Sequence, residues 1–504
     1  MGHHRSVVVV DHGRYRGGFS VPSPPGVNSG ALRRRASTPD ARCTRVATAR
    51  ACRRALAVAP PAWQRAPVSH EPQALRRTLT PVAITLYAVG DILGAGIYAL
   101  VGKVVGIAGT SAWLSFGVAA LIAVFTGLTY AEMSSRFPVA AGAAAYSGRA
   151  FASPAVAFVI GMLVLASGIT SAATVSLAFS GYLETFVTVP PLAGSAALLG
   201  VMTWVSFRGI QESSNLNVFL TIAEASGLVL VLVAGFWFAG RLSGAEQLER
   251  LAPDATPGQI LSGATLAFYA YIGFEDTANV AEEVHDAQRV LPRAILIAIA
   301  TSCAMYVGIT VAALLTLTPE QLASSSAPLL DVLRAAGIEP PGGAFSIVAL
   351  FAICNTGLLN LIMASRLTYG MAREGLIPAV LGRIHPVRAT PWLAVLLAFA
   401  LALALAISGG VQILAQTTSL LLLCVFTTLH LGLLRIKRGE TARPAGIFVT
   451  PAWTPVIGFV LCLGLATQFP PAAHGRMLAV LATAALLYAT LGRRMRHASR
   501  HPSP

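Results

Sequence analysis

From about residue 80 onward the chain repeats one pattern, in which long apolar runs alternate with short polar connections. A hydrocarbon layer of about 30 Å needs roughly 20 mostly apolar residues per helix, so each run reads as a membrane-crossing helix. Twelve spans are predicted, at residues 80–102, 112–133, 154–183, 190–207, 214–240, 260–284, 292–317, 343–366, 391–408, 410–434, 453–469 and 475–492. A β-barrel is excluded, because its strands would alternate apolar and polar positions over about ten residues. The expected fold class is an all-α polytopic membrane protein.

Residues 1–75 break this pattern. They are rich in Arg, Pro, Ser and Ala, and the apolar stretch Ser6–Val10 is too short for a secretory signal. They are expected to form a disordered cytoplasmic tail, or to be an over-long start of the reading frame. A second basic tail is expected over 493–504.

Composition agrees with a lipid environment. Of the 504 residues 55% are hydrophobic and 11% charged, against roughly 25% charged in a soluble domain. The net charge of +15 raises the question of nucleic acid, and its distribution answers it. Of the 36 Lys and Arg, 14 lie before residue 80; beyond that, 17 fall in alternate inter-span segments assigned to one side and 5 to the other. That asymmetry is the positive-inside bias, and no contiguous basic face with polar readers is visible. The expectation is a multi-pass protein of the cell (inner) membrane, with both termini cytoplasmic and no nucleic-acid partner. Cys303, Cys354, Cys424 and Cys462 lie inside apolar runs, and with Cys43 and Cys52 they give neither a disulfide framework nor a metal-like spacing. No metal or cofactor is expected.

Two spans carry interruptions. The first contains Gly90-Asp91-Ile92-Leu93-Gly94-Ala95-Gly96-Ile97-Tyr98. Alone, its glycines could be a groove for close helix packing, but a mid-membrane carboxylate is costly and points to function. The sixth runs Phe268-Tyr269-Ala270-Tyr271-Ile272-Gly273-Phe274-Glu275-Asp276-Thr277-Ala278-Asn279. Two acids and an amide suit an interruption lining a polar cavity, not a lipid-facing helix. The breaks occupy corresponding places in two sets of five spans, over 80–240 and 260–434, with two additional spans over 453–492. This is the signature of an inverted-repeat transporter with its site at the bilayer midplane. The second half-helix, opening after Gly94, offers N–H groups and a positive dipole end to a carboxylate. Carbonyls around Ile92 and Tyr269–Ile272 suit an ammonium. Phe268, Tyr269, Tyr271 and Phe274 can wall and gate the pocket, or simply pack.

These motifs resemble the amino acid–polyamine–organocation permease superfamily, whose first span carries a Gly-x-Gly-Ile break. The resemblance extends from the sixth-span Phe-x-Ala-Tyr-x-Gly-Phe-Glu into Ala281-Glu282-Glu283-Val284 and Leu291-Pro292-Arg293-Ala294. Tyr130-Ala131-Glu132-Met133 through Phe137-Pro138, and Ser365-Arg366-Leu367 through Met371-Ala372-Arg373-Glu374-Gly375-Leu376-Ile377-Pro378, fit as well. The resemblance implies a leucine-transporter-like fold, two inverted five-helix repeats plus two helices, and alternating-access transport of an amino acid, driven by protons or by exchange. By it, Ile92, Gly94, Ala95 and Gly96 bind the substrate's backbone groups together with Tyr269, Ala270 and Ile272. Two departures stand out. Ala95 replaces the Ser or Thr of many relatives, and Asn215-Leu216-Asn217 leads to Glu224 where proton-coupled relatives often carry a lysine.

The deepest acids are Asp91, Glu224, Glu275 and Asp276, whereas Lys103, Glu132 and Glu184 lie at span ends. Burial disfavours an ionised carboxylate, so the four deep acids are candidate proton carriers. They can equally receive a cationic amino acid or a polyamine, and Glu275 and Asp276 can serve structure alone. Asn355, Thr356 and Ser365 offer oxygens for sodium without forming a tight ligand set. A membrane enzyme would need a constellation of His, Cys or acids, whereas His430 stands alone within its span. Gly-Ala-Gly without a preceding strand is no dinucleotide fingerprint, and no Gly-Lys-Ser/Thr phosphate loop exists. A non-transporting amino acid sensor on the same fold is the remaining alternative.

Overall fold

The computed structural model describes residues 77–498, except 184–185, 326, 341–342 and 441–445. The tail expected over 1–75, with Cys43 and Cys52, lies outside the described residues, as do Glu184, Arg443 and residues 499–504.

Among the described residues every regular element is a helix, and an isolated bridge between Leu79 and Val284 is the one β-type pairing. The first span begins where Thr80 caps Pro81, its side chain accepting from Ala83 N at 3.2 Å. A proline at the first helical position has no N–H to leave unpaired. The span divides into α1 (Pro81–Leu93) and α2 (Ala95–Ala108) around Gly94, whose ψ of −158° is not helical. After a 3₁₀ turn come α3 (Ala112–Arg136), the short α4 (Gly142–Phe151), α5 (Pro154–Leu183), α6 (Pro191–Arg208) and α7 (Ile210–Ala239).

The second half opens with a short outer helix α8 (Gly244–Leu251) and then α9 (Pro257–Ala270). α9 is started by a capping box, in which Thr256 and Gln259 satisfy each other's backbone N–H groups. It ends at Tyr271, and the chain resumes as a 3₁₀ helix over Asp276–Glu283. Next are α10 (Ala287–Thr316), the short α11 (Pro319–Ser324) and α12 (Pro328–Ala335), and α13 (Ala344–Arg373). α14 (Trp392–Ile407), α15 (Val411–Gly439), α16 (Trp453–Ala466) and α17 (Pro471–Ala498) complete the order.

All twelve expected spans have a helical counterpart, as the polytopic all-α class requires. Among the described residues eight stretches are long and apolar enough to cross a membrane, and α14 and α16 are shorter apolar helices. Two expected spans fall outside both groups: α6, a helix of 18 residues, and the sixth span, which its break divides. The first span runs on to Ala108 instead of stopping near 102, so the exposed Lys103 sits within α2. α17 likewise continues past 492 to Ala498. The outer face of α7 leaves Phe219, Ile222, Val233 and Trp237 exposed at helical spacing. Such a stripe suits lipid and would be costly in water.

The two broken spans meet at the centre. α2 packs on α9 so closely that a Cβ on Gly96 would lie 2.6 Å from Ala270 Cα. Gly273, with φ of +135°, faces the end of α1, and a Cβ there would lie 2.7 Å from the Asp91 carbonyl oxygen. Only glycine meets both demands. α5, α13 and α15 pack together beside them and supply the remaining walls.

Candidate functional site

One central cavity gathers the two breaks. The first span contributes Asp91, Ile92, Gly94, Ala95 and Gly96 to its wall, and the sixth contributes Tyr269, Ala270, Ile272, Gly273, Glu275 and Asp276. Ser167, Gly168 and Ser171 come from α5, Thr356, Asn360 and Met363 from α13, and Thr418 and Leu422 from α15. Thus all seven residues singled out for substrate backbone groups lie on one wall system. The space left for a water-sized sphere is ≈ 20 Å³, about one water's worth. A solute larger than water therefore fits only when the walls move apart.

The break at Gly94 is held from across the bundle. Ala95 N–H, an orphan donor of the new helix, donates to Thr356 Oγ1 at 3.0 Å. Gly94 is glycine because a Cβ there would strike that same hydroxyl. The carbonyl of Ile92, freed by the break, accepts from the Tyr306 hydroxyl. Two of the groups expected to meet substrate are thus partnered in this state. Asn360 Nδ2 donates to Thr356 O at 2.8 Å and to Ser171 Oγ at 3.1 Å, and Ser171 Oγ lies 3.1 Å from Tyr269 Oη. A polar thread therefore joins α13, α5 and α9 around the cavity.

The four deep acids separate into two places. Asp91, Glu275 and Asp276 are all at most 4% exposed and line the cavity. Glu275 Oε2 accepts from Gly273 N at 2.9 Å, whereas Asp91 Oδ2 has no hydrogen-bond partner among the described residues. Glu224 lies outside the cavity, fully buried behind the first span. Its Oε2 is 3.4 Å from Asn355 Nδ2, which also reaches Thr221 Oγ1 at 3.1 Å and Gly90 O at 3.4 Å. Asn217 Nδ2 donates to Asn355 Oδ1 at 2.8 Å, and Tyr98 Oη donates to the Glu224 carbonyl at 3.0 Å. Glu224 Oε1 has no partner among the described residues.

The remaining singled-out residues sit elsewhere. Phe268, Tyr271 and Phe274 are buried away from the cavity. Phe274 stacks on Phe426 at 5.6 Å, Phe268 meets the same ring edge-on, and Tyr271 packs against Tyr306 at 5.1 Å. The three residues offering oxygens for sodium are dispersed: Thr356 caps α2, Asn355 serves the Glu224 network, and Ser365 Oγ accepts from Arg366 at 2.9 Å. Among the described residues no group of three His, Cys, Asp or Glu side chains can hold a metal ion. Glu132 is a fully buried anchor, 2.6 Å from Arg136, 2.7 Å from Lys437 and 2.8 Å from Thr450 N. His430 Nδ1 lies 2.9 Å from Thr129 Oγ1 and Nε2 lies 3.5 Å from Thr126 Oγ1, a packed polar contact.

Ser167, Ser171, Asn360 and Thr418 were not singled out from the sequence, and Thr356 was considered only as an oxygen donor for sodium. Their signal was present. Ser167 and Ser171, like Thr356 and Asn360, are polar pairs four residues apart inside apolar spans, which puts each pair on one helix face.

Comparison with known proteins gives concordant results. A family model described as "Amino acid permease" matches residues 79–490. "Cationic amino acid transporter 9, chloroplastic" of Arabidopsis thaliana is 31% identical over 358 residues, covering 66% of this chain and 62% of that protein. The "Methylthioribose transporter" of Bacillus subtilis (strain 168) is 26% identical over 419 residues, 79% of this chain and 89% of the relative. "Cationic amino acid transporter 4" of Mus musculus is 30% identical over 395 residues, 74% of this chain and 61% of its own. The match thus spans less than two thirds of the length of either cationic relative.

Proposed function

The chain belongs to the amino acid permease family, and on that premise we propose that it is a secondary transporter carrying an amino acid or related amine by alternating access. The observation that carries this reading is the convergence of both broken spans on one cavity, with Ile92, Gly94, Ala95, Gly96, Tyr269, Ala270 and Ile272 on its wall. A zwitterion fits this chemistry. Its carboxylate faces the first N–H groups of α2, where the helix dipole is positive. Its ammonium faces carbonyls at the ends of α1 and α9 and the carboxylates beside them.

Glu224 is the proton carrier in this reading, with Asp91, Glu275 and Asp276 as the other acids able to take part. Glu224 is buried, contacts no substrate-lining atom of the cavity, and touches the first span through Asn355 and Gly90. A change in its charge is therefore felt by the helix that must move. The unequal division of Lys and Arg between the two sides supports a cell-membrane protein with both termini cytoplasmic. Names among the relatives support the substrate class, since two are cationic amino acid transporters.

The test is uptake of labelled amino acids and polyamines into proteoliposomes, with and without an inward proton gradient. Saturable uptake that rises with the gradient is expected. Binding without flux would instead identify a sensor.

A further inference from the structure

The transport reading leaves open what the cavity's charge is for. Asp91, Glu275 and Asp276 face one small space, and no Lys, Arg or His lines it among the described residues. The buried Arg366 is engaged elsewhere, 3.0 Å from Glu283 and 2.9 Å from Ser365. The ammonium of a zwitterion can meet one of these carboxylates, but its own carboxylate brings an equal negative charge, so the net charge of the cavity is left as it was. Buried carboxylates demand a counter-charge or a proton.

The second observation is Asp91 itself. It is 4% exposed, its Oδ2 lacks a partner among the described residues, and it stands on the cavity wall. An unpaired buried acceptor is costly, and it persists where a ligand supplies the missing donor. Glu275 differs, because one of its oxygens already accepts from Gly273 N. Gly273 also brings the two acidic segments together, since it abuts the Asp91 backbone and lies just ahead of Glu275 and Asp276. Glu224 takes no part in this cluster, being outside the cavity.

We infer that Asp91 and Asp276 form a subsite for a cationic group, so that the transported substrate carries net positive charge, as a basic amino acid does. This rests on the transport reading above and narrows it. The ammonium or guanidinium of the substrate donates to Asp91 Oδ2 and to Asp276. Met363 and Leu422 give apolar wall to its aliphatic stem. The substrate carboxylate stays at the start of α2.

The test uses the full chain, in detergent and in proteoliposomes, with labelled lysine and labelled leucine as probes. Wild type is expected to favour lysine over leucine by about tenfold or more, and Asp91→Asn and Asp276→Asn each to cut that preference by about tenfold. Heat stabilisation of the wild-type protein by lysine is read separately, so poor folding of a variant does not decide the matter. Leucine uptake with no competition or stabilisation by lysine overturns the cationic subsite and leaves the transport reading standing. Lysine preference unchanged in both variants overturns the assignment to these residues. Failure of wild type to bind or move lysine, leucine or any other member of the amino acid and polyamine panel overturns both readings.

Discussion

Gly273 faces the backbone carbonyl of Asp91 with no room between them for a side chain; a Cβ would lie 2.7 Å from that oxygen. This contact joins the ends of the two broken helices, and the φ of +135° at Gly273 adds a second demand for glycine. Gly273→Ala must therefore strain the backbone and separate the two breaks together. Strained positions of this kind cost about 1–3 kcal/mol, so the variant is expected to melt earlier and to lose substrate binding. A thermal scan paired with equilibrium binding of labelled amino acid checks it. Wild-type behaviour in both would show that the close approach is not needed.

Thr356 holds the first N–H of α2 at 3.0 Å. Thr356→Val keeps the shape and removes the acceptor, leaving a buried donor unpaired at about 1–3 kcal/mol. Weaker substrate binding and a lower melting temperature are expected, with Thr356→Ser restoring both. Ligand titration and thermal unfolding of the three proteins decide the point.

Glu224 predicts a separation of binding from coupling. In wild type, accumulation is expected to rise as the outside is made more acidic than the inside, because on the proposed reading protonation neutralises the buried carboxylate before the first span moves. Glu224→Gln carries the neutral form permanently. Its binding is expected to persist while uptake becomes insensitive to the gradient. Proteoliposome uptake at several imposed pH differences measures this, and an unaltered gradient response in the variant removes Glu224 from the proton pathway.

The Arg366–Glu283 pair is fully buried at 3.0 Å, and the Glu283 carbonyl also accepts from Thr78 and Leu79 N–H, both at 3.0 Å. Removing one partner leaves an uncompensated buried charge, at about 3–5 kcal/mol. Arg366→Met is expected to be strongly destabilised, and the double variant Arg366→Met, Glu283→Gln to recover part of the loss. A double-mutant cycle of unfolding temperatures reads the coupling. Additive losses would argue that the pair does not act as a unit.

Much of this was legible before any coordinates. Apolar runs gave the spans because lipid imposes helix length and forbids unpaired backbone. Gly94 and Gly273 marked the breaks because a glycine beside acids has no reason to be in an ordinary membrane helix. Which faces turn inward was harder to read. Phe268 and Tyr269 sit on adjoining faces at the end of α9, and Tyr271 and Ile272 follow in the turn beyond it, so Phe268 and Tyr271 pack behind the cavity that Tyr269 and Ile272 line. Glu224 and Asp91 looked alike as deep acids; only the packing of α7 against α1 and α13 puts one in a sealed network and the other on the cavity. Asn360, and the part Thr356 plays at the Gly94 break, stayed hidden because a small polar residue in an apolar span often bonds its own helix, and its choice depends on neighbouring helices.

Counterflow tests the central claim most directly. Proteoliposomes loaded with unlabelled amino acid, then diluted into trace labelled amino acid, should accumulate label transiently, because an alternating-access carrier exchanges one substrate for another without net driving force. Gly96→Val, which pushes α2 off Ala270, should abolish the overshoot. A wild-type protein that binds amino acid with no overshoot, or a Gly96→Val protein that overshoots like wild type, would contradict transport through a site built from the two broken spans.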